Sequence, residues 1–176
     1  IEVGLHWNDN IGKDFQYGAN LTLAHNKNEV TKIANKDGII HGSGSVLWEG
    51  AEECFRAEVG KPIGYFYGYK VEGVYQTQEE IEHSPKNTLA TVTPGDLKFR
   101  DVNGDGEITT ADRTMIGNPT PEVTYGFTLG LGYKNWELAV DMMGQGGNQI
   151  YRTWDNYNWS QFNFMEQRMD RWHGEG

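Results

Sequence analysis

The sequence predicts an all-β fold of antiparallel strands, and three observations predict it. Four segments alternate apolar and polar residues with a period of two, the spacing at which a strand turns successive side chains to opposite faces. The 176 residues include 23 Gly, six Trp, nine Tyr and seven Phe, a mixture suited to aromatic strands joined by loops. The strands also fall into two turn-linked pairs, with Asn, Asp, Gly and Lys between the members.

In IEVGLHW, residues 1–7, Ile1, Val3, Leu5 and Trp7 share one face, and Glu2, Gly4 and His6 the other. NDNIGKD, residues 8–14, reads as a turn. FQYGANLTLAHN places Phe15, Tyr17, Ala19, Leu21 and Leu23 opposite Gln16, Gly18, Asn20 and Thr22, so residues 1–26 form a hairpin. Residues 27–60 lose the pattern; Gly38, Gly42, Gly44 and Gly50 interrupt them, and Glu49, Glu52 and Glu53 make an acidic patch. Residues 60–76, GKPIGYFYGYKVEGVYQ, suit one or two short strands. TQEEIEHS, 77–84, reads as a short helix: Thr77 and Glu80 form a capping box, and Pro85 stops it. EVTYGFTLGLGYK, 122–134, and WELAVDMM, 136–143, form a second hairpin. Lys134 and Asn135 suffice for its turn, which sets Tyr133 opposite Trp136 on the apolar face.

The expected organisation is therefore a hairpin at 1–26, a long loop region at 27–121, a second hairpin at 122–146, and an aromatic loop at 147–176. In that last part Tyr151, Trp154, Tyr157 and Trp159 are candidate contacts for a partner or a substrate. Phe162, Met165, Met169 and Trp172 follow at helical spacing, with Ser160 as a cap.

Composition excludes several functions. A net charge of −10 argues against nucleic-acid binding. The single Cys54 cannot form an internal disulfide. His6, His25, His41, His83 and His173 show no metal spacing. Motifs for serine hydrolysis, zinc proteolysis and phosphate cradling are absent, and nothing positions Glu52 with Glu53, or Glu79 with Glu80, as a catalytic pair; the expectation is a protein that is not an enzyme. No run of about 18 apolar residues occurs, which leaves strand-based membrane spanning open. The sequence starts without Met or a signal peptide, so a piece of a longer chain is expected.

The alternating strands fit either a soluble sheet packed on a core or part of a transmembrane β-barrel. Three details favour the barrel. Aromatics lie beside the short turns, Trp7 with Phe15 and Tyr17, and Tyr133 with Trp136. The opposite face is small and polar. The turns are short at one end, while long connections fill the other. Following the strand directions, residues 101–112 and the aromatic tail fall on the side away from the short turns, extracellular by analogy.

DVNGDGEITTAD, residues 101–112, spaces oxygens as a calcium loop does. Asp101, Asn103, Asp105, the Glu107 carbonyl, Thr109 directly or through water, and Asp112 occupy positions 1, 3, 5, 7, 9 and 12, with Gly106 at the sharp turn. Asp112 replaces the long Glu of an EF-hand, as in dockerin-like loops. All-oxygen ligands favour calcium over zinc, in a structural role. A metal-free alternative is an Asx-rich turn in which Thr109 and Asp112 cap the next helix.

Residues 94–140, PGDLKFRDVNGDGEITTADRTMIGNPTPEVTYGFTLGLGYKNWELAV, resemble a hallmark stretch of the SusC/RagA family of TonB-dependent outer-membrane transporters. So do residues 60–81, GKPIGYFYGYKVEGVYQTQEEI, and the tail with GQGGNQIY and MDRW. The resemblance covers nearly the whole chain and is weakest over 27–58. It implies a C-terminal fragment of a barrel of about 22 strands around an internal plug, placed in the Gram-negative outer membrane. It further implies partners: the rest of the barrel and the plug, outer-membrane lipid, a SusD-like lipoprotein, TonB through the missing N-terminal part, and a glycan or peptide substrate. The other readings of these residues are a soluble calcium-binding β-domain for adhesion or protein interaction, and a secreted carbohydrate-active enzyme domain that would need a catalytic pair.

Overall fold

The computed structural model describes residues 1–46, 51–152 and 166–174. The chain divides into two compact units. The first comprises Ile1–Ile40, Ala57–Gly64 and Asn118–Ile150; the second comprises His41–Arg56, Tyr65–Gly117 and Tyr151–Gly176.

The first unit is dominated by an antiparallel sheet of four long strands. They are β1 (Glu2–Ile11), β2 (Phe15–His25), β11 (Val123–Tyr133) and β12 (Trp136–Gly146), in the order β1-β2-β11-β12. The second hairpin has the expected register: Tyr133 opposes Trp136, and Lys134 takes the positive φ of +53° that a tight two-residue turn demands. The first turn is shorter than the sequence suggests. Asn8, Asp9 and Asn10 favour turns by local propensity, yet all three are paired to β2, and only residues 12–14 turn, with Gly12 at φ +69°. Trp7 therefore opposes Ala19 rather than flanking Phe15 and Tyr17; Ile11 opposes Phe15, and Asp9 opposes Tyr17.

The registers sort the side chains into two faces. One carries Val3, Leu5, Trp7 and Ile11 with Leu21, Leu23, Phe127, Leu129, Val140 and Met142, and its turn end is the aromatic row Phe15, Tyr133 and Trp136. Asp9 is the charge on this face, one row in from that end. The other face carries His6, Asn8, Asn20, Thr22, Thr128, Asp141 and a run of glycines. Those glycines make room for neighbouring polar side chains: a β-carbon at Gly18 would collide with the Asn8 amide, and one at Gly126 would lie 2.8 Å from the Thr22 hydroxyl. Asn8 Nδ2 donates to His6 Nε2 at 2.7 Å, and His6 Nδ1 bonds Asn20 Oδ1, so the polar side chains lie along the sheet as a network.

Neither face forms an ordinary interior. All ten residues of β1 are exposed, and so are Leu21, Leu23, Trp136, Leu138 and Met142. Four strands about 4.8 Å apart and about 34 Å long present about 650 Å² per face. That exceeds the apolar patches of about 300–600 Å² found on soluble monomers. Eleven residues tilted by about 40° rise about 26 Å, the height of the apolar band on a membrane barrel, about 25 Å.

The second unit is built from short strands. β5 (Tyr65–Tyr69) pairs with β10 (Arg113–Gly117) and with Phe55 and Arg56 at the start of β4 (Phe55–Glu58), and β3 (Ile39–His41) enters this unit at His41. β6 (Val71–Val74) pairs with β8 (Leu97–Phe99), and β7 (Lys86–Asn87) runs parallel to β9 (Glu107–Ile108). The helix α1 (Gln78–Glu82) forms where TQEEIEHS predicts it. Thr77 accepts the Glu80 N–H at 3.1 Å, but the Glu80 carboxylate reaches one residue past the cap, to the Gln76 N–H at 2.9 Å. Among the described residues, Cys54, Tyr65, Tyr75 and Ile108 are the buried apolar side chains of this unit. In the tail a short 3₁₀ helix spans Glu166–Asp170; the rest of the helix expected from Ser160 onward lies outside the described residues.

Candidate functional site

The 101–112 loop is organised around two carboxylates. Asp101 Oδ1 accepts the Gly104 N–H at 2.6 Å and Oδ2 accepts the Gly106 N–H at 2.8 Å, so the chain wraps about its first residue. Gly104 and Gly106 make the wrap possible with φ values of +75° and +85°, a region side chains disfavour. Asn103 Oδ1 accepts from Asp105 N at 3.0 Å, and Asp105 Oδ1 from Glu107 N at 2.9 Å, successive Asx turns that leave these side chains on the solvent side.

Asp112 has a different environment. It is fully buried, and its oxygens accept the N–H of Thr109 at 2.7 Å and of Val102 at 2.9 Å. Together with the Thr109 hydroxyl, which accepts the Ala111 N–H at 3.1 Å, this is a capping box on the 3₁₀ turn Thr110–Asp112. Asp112 thus ties the start of the loop to its end. The Thr109 N–H, ahead of the Val102 N–H, holds its carboxyl below the usual range against the opposing effect of burial. Among the described residues no three His, Cys, Asp or Glu side chains converge as a metal cage; the Asp101 and Asp112 carboxylates both accept backbone N–H groups of the loop. The side-chain donors of the loop are all oxygen, so a hard cation fits their chemistry, while the Asp112 carboxylate already accepts the Thr109 and Val102 N–H groups.

Sequence reasoning missed a second cluster, on the inner side of β5. Arg56 stacks over Tyr67 with its guanidinium carbon 3.3 Å from the ring centroid, and Arg113 lies 4.7 Å from the same centroid. Glu53 accepts two bonds from Arg56, at 2.9 and 2.8 Å, and one from His41 at 3.1 Å. Burial pushes the Glu53 carboxyl up, but the Arg56 and His41 bonds together outweigh it and hold the group low. The alternation in YFYGY, which sets Tyr65, Tyr67 and Tyr69 on one face, was the available signal. The arginines that fill the spaces come from residues 56 and 113 and carry no local pattern.

Of the tail aromatics, Tyr151 is half-buried, with its ring 5.8 Å from that of Phe66. Trp154, Tyr157 and Trp159 lie outside the described residues.

Comparison with known proteins gives the context. The chain is 33% identical over 153 residues to TonB-dependent receptor P3 of Formosa agariphila, a match covering 85% of this chain and 15% of that protein. It is likewise 33% identical over 162 residues to receptor P26 of the same organism, covering 90% and 16%. The chain belongs to the SusC/RagA family of TonB-dependent receptors. TonB-dependent receptor SusC of Bacteroides thetaiotaomicron is 23% identical over 151 residues, covering 86% of this chain and 14% of SusC. No protein-family profile matches the chain. Among solved structures, the RagAB peptide importer in its open-open state superposes with a TM-score of 0.58 at 19% identity over 84% of this chain. The RagAB peptide transporter superposes at 0.57 and 20% over 83%. This likeness supports a fold of mostly antiparallel strands. The chain spans only about 15% of the length of the curated relatives it matches. Those relatives are transport receptors of the outer membrane rather than enzymes.

Proposed function

We propose that this chain is a wall-and-loop segment of a TonB-dependent outer-membrane importer. Its two hairpins supply four adjacent barrel strands, with the apolar face toward lipid and the polar face toward the lumen. The second unit supplies extracellular structure. The observation that carries this reading is the four-stranded sheet whose apolar face is uncovered, about 26 Å high when tilted as in a barrel, and bordered by aromatics at its turn end. A soluble β-domain would cover that face with a core layer of its own. The cargo is a glycan or a peptide; the family relation and the RagAB likeness support an importer working with a SusD-like lipoprotein and energised through TonB. Cell fractionation tests it, with an antibody raised against residues 86–121. A band far above 19.9 kDa in the outer membrane supports the reading, and a soluble band near 19.9 kDa overturns it.

We further propose that the 101–112 loop takes a structural calcium ion on Asp101, Asn103, Asp105, the Glu107 carbonyl, Thr109 and Asp112. The order of oxygen donors and the wrap about Asp101 support it. The capping role of Asp112 supports the metal-free alternative, in which the loop holds its shape by hydrogen bonds. Calorimetry of calcium with the wild-type receptor and with the pair Asp101→Ala, Asp105→Ala separates them: heat lost in the variant supports calcium, and equal heats sink it.

A further inference from the structure

Two stretches that carry the family resemblance, the one containing Gly95 and the one ending in Trp172, meet in space. A β-carbon at Gly95 would lie 2.7 Å from Trp172 Cε3 and 3.1 Å from Cζ3, well inside van der Waals contact. Gly95 also holds φ at +98°, so a side chain there would be strained twice over. The indole Nε1–H donates to Gln76 Oε1 at 3.0 Å, across 96 positions of sequence. Trp172 thus has a flat seat for its ring and an acceptor for its one polar atom, the pairing a partly buried tryptophan needs.

The seat is well braced. The Gly95 N–H bonds the Tyr75 carbonyl at 2.8 Å, the Tyr75 N–H bonds the Asp96 carbonyl at 3.0 Å, and Asp96 Oδ2 accepts the Thr93 N–H at 2.8 Å. Tyr75 itself is fully buried. The segment that supplies the tryptophan is braced mostly by itself. His173 Nε2 bonds the Met169 carbonyl at 2.9 Å, and Met169, Asp170 and Arg171 are exposed. Among the described residues, its side-chain bonds to the rest of the unit are Trp172 with Gln76 and Gln167 with Arg152, the latter at 2.8 Å.

We propose that Gly95, Gln76 and Trp172 form a latch. Segment 166–174 docks through one aromatic side chain, in a seat that exists because position 95 has no side chain, and it can leave that seat without the loop body unfolding. The physical basis is the contrast between a hydrogen-bonded turn over a buried tyrosine on one side and, on the other, a segment whose Gln167, Met169, Asp170 and Arg171 are exposed. The latch is a conformational device of this unit, and it does not depend on the cargo or on calcium.

Amide hydrogen exchange read by mass spectrometry on the full-length receptor in detergent tests it, comparing wild type with Trp172→Ala, Gly95→Ala and the double variant. Trp172→Ala is expected to speed exchange in peptides covering 166–174 by about tenfold or more, with peptides over 101–112 unchanged. Gly95→Ala should do the same, and the double variant should be no faster than either, because both remove one contact. Gly95→Ala could disturb its turn, so Trp172→Ala is the deciding variant. Unchanged exchange in 166–174 in Trp172→Ala overturns the latch, and so does acceleration spread over the whole of 65–117, which would make Trp172 part of the body's fold.

Discussion

An arginine placed at Leu129 or at Thr128 separates the two faces of the sheet at one depth. Thr128 is the middle residue of β11, and Leu129 is its neighbour, displaced by about 3 Å along the strand, so both sit near the midplane of a spanning sheet. Leu129 lies between Ala19 and Val140 on the apolar face, where a guanidinium would have only hydrocarbon around it. Arginine at the midplane on the lipid face of a barrel costs about 2–4 kcal/mol. A middle value of about 3 kcal/mol is a factor of about 150 in the folding equilibrium. Thr128 lies between Asn20 and Asp141, so an arginine there gains polar neighbours and one opposite charge; its expected cost is below about 1 kcal/mol. Urea-dependent folding of the full-length receptor into phospholipid vesicles, followed by gel mobility, reads both. Equal destabilisation, or a larger loss for Thr128→Arg, would refute the assignment of faces.

Asp112→Ala leaves the part-buried N–H groups of Val102 and Thr109 without their acceptor, and should destabilise the second unit by about 1–2 kcal/mol, read as a lower urea midpoint of its exchange protection. The same carboxylate makes the loop acid-sensitive. Its folded pKa is depressed, so its contribution is complete above the ordinary aspartate value of about 3.9 and is lost as pH falls through the folded value. A pH series of exchange rates at Val102 and Thr109 checks that sign. Gly44→Ala would drive a β-carbon into the backbone carbonyls of Ala51 and Glu52, which cannot swing aside as a side chain can; a loss of about 1–3 kcal/mol is expected in thermal unfolding.

The hairpins were legible in the sequence because each strand is long and one-sided, so a period of two survives for eleven residues. The end of β1 was not, since Asn8-Asp9-Asn10 has turn composition and only the partner strand reveals that it is paired. The second unit was legible at α1, where Thr77, Glu80 and Pro85 mark a helix by local chemistry. Its strands run for only two to five residues, too short for periodicity to register. In the 101–112 loop the spacing picks out the oxygen-bearing residues but not what each one meets: Asp101 and Asp112 both accept backbone N–H groups. Asp112 has the same place in either pattern, and burial separates it from Asp101.

The Asn26 N–H bonds the Glu122 carbonyl at 2.9 Å, directly beyond the pairing of His25 with Val123. Everything from residue 27 to 121 therefore leaves and re-enters the first sheet through one hydrogen-bonded doorway. The wall on the far side of that doorway has no stake in how long the excursion is, because lengthening a loop whose ends are already fixed adds only about 0.6 kcal/mol per doubling. The part of the excursion that lies in the second unit is thus an exchangeable cassette: segments of very different size can be grafted between β2 and β11 while the same four strands go on being built.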